Sequence, residues 1–143
     1  DGNNVCHSFM HAAAAFDFHL NVACPAEYHP DLRDLAKGGN HVTLTSDPSA
    51  AVRGADVVVT DTWVSMGDSD YEARLAAFEP YGVDQALMDQ ADSEAVFLHC
   101  LPAHRGEEVS DAVIDGPRSL VWDVAVNRIH AQKAVIAWCL AGT

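Results

Sequence analysis

The stretch Ala95-Val96-Phe97-Leu98-His99-Cys100-Leu101-Pro102-Ala103-His104-Arg105-Gly106-Glu107-Glu108 passes from a short apolar run straight into a Cys, a Pro and a cluster of ionisable side chains. A buried strand needs only the apolar part. A strand that stops abruptly in reactive and charged residues is what an open α/β sheet presents at its carboxyl edge, where ligands sit. Such groups are costly to place there unless something is bound or transformed, so the stretch points to a small-molecule site.

Working outward, residues 56–60 (Asp-Val-Val-Val-Thr) form the most β-branched segment and read as a strand, as do residues 20–24, stopped by Pro25, and 41–45. Residues 95–98 give a fourth strand and 119–122 a fifth. Helical readings fall at 5–16, with Asn3 or Asn4 as N-cap, and at 30–36, ended by Gly38-Gly39. Others fall at 47–52, 71–78, 83–91 and 126–140, the last with Ile129, Lys133, Ile136 and Leu140 along one face. Strands alternating with helices imply parallel βαβ units with right-handed crossovers. The expected fold is α/β: one doubly wound, Rossmann-like parallel sheet with helices on both faces, its first strand upstream of Asp1. Residues 1–143 read as a single domain.

The composition, 49% apolar and 20% charged, is that of a globular chain. No apolar run approaches the roughly 18–20 residues of a membrane span, and no signal peptide is visible, so no membrane partner and a cytoplasmic location are expected. The chain opens on Asp rather than Met, which reads as a fragment. Four scattered cysteines without a CxxC pair argue against a zinc ribbon or a disulfide framework and suit a reducing compartment. Eight histidines lack metal-ligand spacing, so no metal and no cofactor are expected. With 8 basic against 21 acidic residues the net charge is −13, which repels nucleic acid and anionic membranes. The scattered acids read as a solvated surface, and such a surface also suits a salt-loving organism.

Three loops fall at the carboxyl edge. Asp1-Gly2-Asn3-Asn4 leads into a helix whose free N–H groups favour an anionic group. Capping explains one Asn but not two after a Gly. Asp61-Thr62-Trp63-Val64-Ser65-Met66-Gly67 follows the third strand; its Asp and Ser can meet an ammonium, or serve as a turn and cap. In the opening stretch Cys100 has four readings: nucleophile, metal ligand, polarisable wall or inert core thiol. His99 and His104 are the bases near it, but adjacent strand residues face opposite ways, which aims His99 away from Cys100. Leu101-Pro102 invites a constrained turn that aims a peptide carbonyl outward. Asn127-Arg128 heads the last helix, where a forked guanidinium suits carbonyl or phosphate oxygens or a surface salt bridge.

Taken in order, Asp1-Gly2-Asn3-Asn4, Asp61-Thr62-Trp63-Val64-Ser65-Met66-Gly67, Tyr81-Gly82-Val83, His99-Cys100-Leu101-Pro102, Gly106-Glu107-Glu108-Val109, Asn127-Arg128 and His130-Ala131-Gln132-Lys133-Ala134-Val135 resemble the ornithine carbamoyltransferases across essentially the whole chain. The resemblance implies the ornithine-binding second domain of a two-domain transferase that makes citrulline and phosphate from L-ornithine and carbamoyl phosphate in arginine metabolism, usually as a trimer or a multiple of trimers. The first domain's Ser-Thr-Arg-Thr-Arg and His-Pro-x-Gln motifs are absent, so this chain alone is expected to be inactive. Carried over by position, Asn4 contacts the α-carboxylate, Asp61 and Ser65 hold the α-ammonium, and the Met66 backbone completes the pocket. Cys100 and the Leu101 carbonyl flank the reacting δ-amine, and Arg128 donates to the carbamoyl oxygen; Cys100, Arg128 and Asp61 form the catalytic group. Val124 and Val126 stand where the family often has glutamates beside its Asn-Arg pair. A carbamoyltransferase for another amine, such as putrescine, and a non-catalytic amino-acid-binding module are the competing readings.

Overall fold

A computed structural model describes residues 1–64 and 70–142. Helix α1 (Asn4–Phe16) starts where the Asn3 side chain accepts the N–H groups of Val5 and Cys6 at 2.9 and 3.0 Å. It ends at Asp17, whose φ of 57° turns the chain towards strand β1 (Leu20–Ala23). Helix α2 (Leu32–Gly38) packs on α1 and leads to β2 (Val42–Thr45). β1 and β2 are parallel, with Leu20 opposite Val42 and Ala23 opposite Thr45. The short α3 (Pro48–Val52) is capped by Asp47, which accepts from Ser49 N–H at 2.9 Å. Then come β3 (Val57–Thr60), α4 (Tyr71–Phe78) and α5 (Gln85–Met88). Strand β4 (Val96–His99) lies parallel to β3, with Val57 opposite Val96 and Thr60 opposite His99. The chain closes with α6 (Asp111–Ile114) and α7 (Val121–Ala141). Parallel strands joined through helices give the Rossmann-like α/β fold that the alternation implied.

Two apolar clusters hold this frame. One gathers Val58, Val83, Met88, Phe97, Val109, Ile114 and Val121 around the β3–β4 pair. The other gathers Met10, Val22, Cys24, Trp63 and Phe78. Full burial of a side chain such as Phe97 contributes about 1.5–3 kcal/mol.

Three expectations change. Among the described residues the ladders form two parallel pairs, β1–β2 and β3–β4, rather than one five-stranded sheet. The expected strand at 119–122 shrinks to one bridge: Phe97 N–H donates to Arg118 O at 2.8 Å and Leu120 N–H to Phe97 O at 2.9 Å. The chain then turns helical at Val121, because a short apolar run fits a strand or a buried helix start equally well. Helix α7 therefore begins five residues before the expected 126, and Arg128 sits two turns inside it rather than at its head. Its apolar stripe is left open by the described residues: Ile129, Ile136 and Leu140 are 59%, 58% and 81% exposed.

Candidate functional site

The parallel register that pairs Thr60 with His99 makes β3 and β4 end side by side, so the next residues, Asp61 and Cys100, leave the sheet as neighbours. The Cys100 thiol donates to Asp61 Oδ1 at 2.8 Å. The same oxygen accepts the Thr62 N–H at 2.8 Å, and Asn3 Nδ2 donates to Asp61 Oδ2 at 2.9 Å. Burial pushes the half-buried Asp61 carboxyl up, but the donors from Cys100, Asn3 and Thr62 outweigh it and hold the group below the ordinary aspartate value. Cys100 moves the other way. Burial first, then the hydrogen bond and charge of Asp61, push its thiol up to about 12, and the Arg128 charge opposes them only weakly. Asp61 is thus an anion and Cys100 a neutral thiol.

His99 turns away from this pair. Its Nδ1 accepts the Leu101 N–H at 2.8 Å, so a neutral ring carries its proton on Nε2, which lies 3.3 Å from Glu108 Oε1. Both side chains are completely buried. The Cys–His nucleophile reading therefore lacks its base at His99, as the strand pleat predicts, and a neutral thiol is a poor nucleophile in any case. Glu108 feels the same contest as Asp61: burial raises its carboxyl, while His99 and the His104 N–H at 2.5 Å bring it below the usual range.

Backbone geometry completes the edge. Leu101 has φ 54°, a left-handed conformation that costs a non-glycine residue of order 1–3 kcal/mol, and the Leu101–Pro102 peptide is cis. The His99 ring that accepts the Leu101 N–H and the core against which Leu101 packs hold it there. After β3, Trp63 packs on Phe78, and its carbonyl accepts Arg74 Nε at 2.6 Å. The Arg74 guanidinium lies 4.6 Å from the centre of the Tyr28 ring and pairs with Asp1. Val83 N–H donates to Glu108 O at 2.9 Å and Ser110 N–H to Val83 O at 3.0 Å, which pins the far end of the cysteine loop.

Of the residues singled out from sequence, Asp61, Cys100 and Leu101 come together at the ends of β3 and β4. Asn4 is exposed in the first turn of α1, and the cap and the bond to Asp61 fall to Asn3. Arg128 is exposed on α7, near enough to Cys100 for its charge to act on the thiol. Ser65 and Met66 lie outside the described residues. Sequence reasoning missed Asn3 as a partner of Asp61, the His99–Glu108 pair and the Arg74 anchor. The Asn doublet was the one local signal for the first. As a whole, a carboxylate beside a neutral thiol and an irregular turn can bind an ammonium group, and among the described residues Cys100 and Asp61 form no activated nucleophile.

Residues 1–139 match the family described as aspartate/ornithine carbamoyltransferase, Asp/Orn binding domain. An ornithine carbamoyltransferase of Caulobacter vibrioides is 68% identical over 142 residues, covering 97% of this chain and 46% of that protein. One from Rhodopseudomonas palustris is 58% identical, covering 98% of this chain and 46% of that protein. Among solved structures, the ornithine carbamoyltransferase of Pyrococcus furiosus superposes with a TM-score of 0.86 at 48% identity, covering 96% of this chain and 46% of its own. The chain spans about half the length of the curated relatives it matches.

Proposed function

The chain belongs to the aspartate/ornithine carbamoyltransferase family, in the part that forms its Asp/Orn-binding domain, and from that premise we propose that it is the ornithine-binding half of an ornithine carbamoyltransferase. The observation that carries the reading is the Asp61 carboxylate, kept ionised by Cys100, Asn3 and Thr62 at the end of β3. A fixed anion beside a neutral thiol suits an amino-acid substrate with an ammonium at each end.

In this reading Asp61 and Ser65 receive the α-ammonium, Asn4 the α-carboxylate, and the Met66 backbone closes the pocket. Cys100 and the Leu101 carbonyl flank the δ-amine. Once that amine has lost a proton, its lone pair attacks the carbamoyl carbon. Arg128 donates to the carbamoyl oxygen as it gains charge, which is the main electrostatic gain. The bond from carbon to the phosphate oxygen then breaks and the attacking nitrogen gives its second proton to the departing phosphate, giving citrulline and phosphate. Cys100 forms no bond to substrate; as a neutral thiol it is a wall of the amine pocket. Carbamoyl phosphate is held by a carbamoyl-phosphate domain outside residues 1–143, which supplies the proximity of the two substrates. The intact enzyme works in the cytoplasm as a homotrimer or a multiple of trimers.

The test is steady-state kinetics of the intact polypeptide carrying Asp61→Ala. Loss of a desolvated charge partner costs about 2–5 kcal/mol, so ornithine affinity should fall roughly 30-fold or more. An unchanged KM for ornithine would sink the role of Asp61, and citrulline formed by residues 1–143 alone would sink the half-site reading.

A further inference from the structure

No metal-ligand spacing is visible in the sequence, yet the turn that follows the cysteine loop assembles one in space. Gly106, at φ 82°, reverses the chain, with Glu107 N–H donating to His104 O at 3.2 Å and Gly106 N–H to Val109 O at 2.9 Å. Glycine is favoured there because an L side chain rarely adopts that φ. The reversal stacks His104 on Glu108 and sets Glu107 beside them. One ligand atom from each of the three lies within 4.8 Å of the other two.

The two oxygens of Glu108 are not equivalent. Oε1 accepts the His104 N–H and faces His99 Nε2. Oε2 is fully buried and makes no hydrogen bond. It points to His104 Nδ1, 3.5 Å away, a long contact that becomes an ion pair only when His104 is protonated. A buried carboxylate oxygen without a hydrogen bond, facing a neutral imidazole nitrogen, is a position a cation can fill. With ligand bonds of about 2.1 Å, two donors 3.5 Å apart subtend an angle of roughly 110° at a shared ion, which is tetrahedral. Glu107 is partly exposed, with the Tyr71 hydroxyl donating to its Oε1 at 3.3 Å, and a side-chain rotation would bring its carboxylate onto the ion. His104 is half-exposed, so an ion has a path in and a solvent-facing fourth position.

We propose that His104 Nδ1, Glu107 and Glu108 Oε2 form a binding site for a divalent metal ion of the zinc class, on the side of His99 away from Cys100. One imidazole and two carboxylates form a set suited to such a borderline ion. The ion would share the Glu108 carboxylate with His99, whose other nitrogen holds the Leu101 N–H, so occupancy is felt one residue from Cys100.

The experiment is calorimetric titration of the intact polypeptide with zinc chloride, alongside His104→Ala and Glu107→Gln, with cobalt(II) absorption as a report on ligand type. His104 is half-exposed, and far-UV circular dichroism verifies that its variant keeps the fold. The expected result is one ion per chain, weakened about tenfold or more in each variant, with cobalt bands of nitrogen and oxygen ligation. No binding, binding unchanged in His104→Ala, or an intense thiolate-to-cobalt band that places the ion on a cysteine would each overturn the proposal. A His104 that merely pairs with Glu108 when protonated gives the first of these.

Discussion

At Cys100, burial and the Asp61 carboxylate act in one direction, and together they take the thiol up to about 12. A thiol so raised is neutral at physiological pH and ionises only in strong alkali. Asp61→Asn removes the charge and leaves the burial, so the Cys100 thiolate should form at lower pH. Alkylation of the Cys100 peptide by iodoacetamide at about pH 8.5, followed by mass spectrometry, should then quicken severalfold; an unchanged rate would mean that burial alone sets the thiol. Part of this was legible in the sequence. The strand pleat separates His99 from Cys100, and the strand end at residue 60 singles out Asp61. The Asn3–Asp61 bond was not legible, because it joins residues 58 apart in the chain and depends on how α1 meets the sheet. His99–Glu108 escaped for a different reason: the turn at Gly106 that brings Glu108 back has no apolar periodicity to betray it.

Elements with a strong local signature declare themselves. The helix read at 71–78 is α4 (Tyr71–Phe78), and the β-branched run at 56–60 is β3 to within a residue. The failures cluster where tertiary contact overrides pattern: the apolar residues at 119–122 serve as one bridge and a helix start, and the short α6 (Asp111–Ile114) carries too few residues to show a period. The turn at 104–107 offers a prediction at this scale. At Gly106 a Cβ would meet no atom within 4 Å, so Gly106→Ala strains only the backbone, at φ 82°. The cost should be about 1 kcal/mol, a loss of a few degrees in Tm by calorimetry. A variant with unaltered Tm would mean that the turn relaxes to another shape and that His104 and Glu108 are not held together by it.

On the scale of the molecule, the 21-residue α7 buries only Val121, while Trp122 and Trp138 are 59% and 67% exposed. A contiguous exposed apolar face of that length marks an interaction surface, which under the ornithine carbamoyltransferase reading proposed above the rest of the polypeptide would cover. Acrylamide should therefore quench the tryptophan fluorescence of residues 1–143 more strongly, per tryptophan of this segment, than that of the intact polypeptide. Equal quenching would mean that the stripe stays open to water in both. The ladder between β3 and β4 bears on the whole molecule in another way. Because Thr60 pairs with His99, Asp61 and Cys100 leave the ladder at the same level, and that level is set by counting residues along two strands. Substitution can recolour that edge, but only an insertion or deletion can re-space it. Evolution can thus exchange the chemistry at the ends of these strands while the ruler beneath them stays fixed.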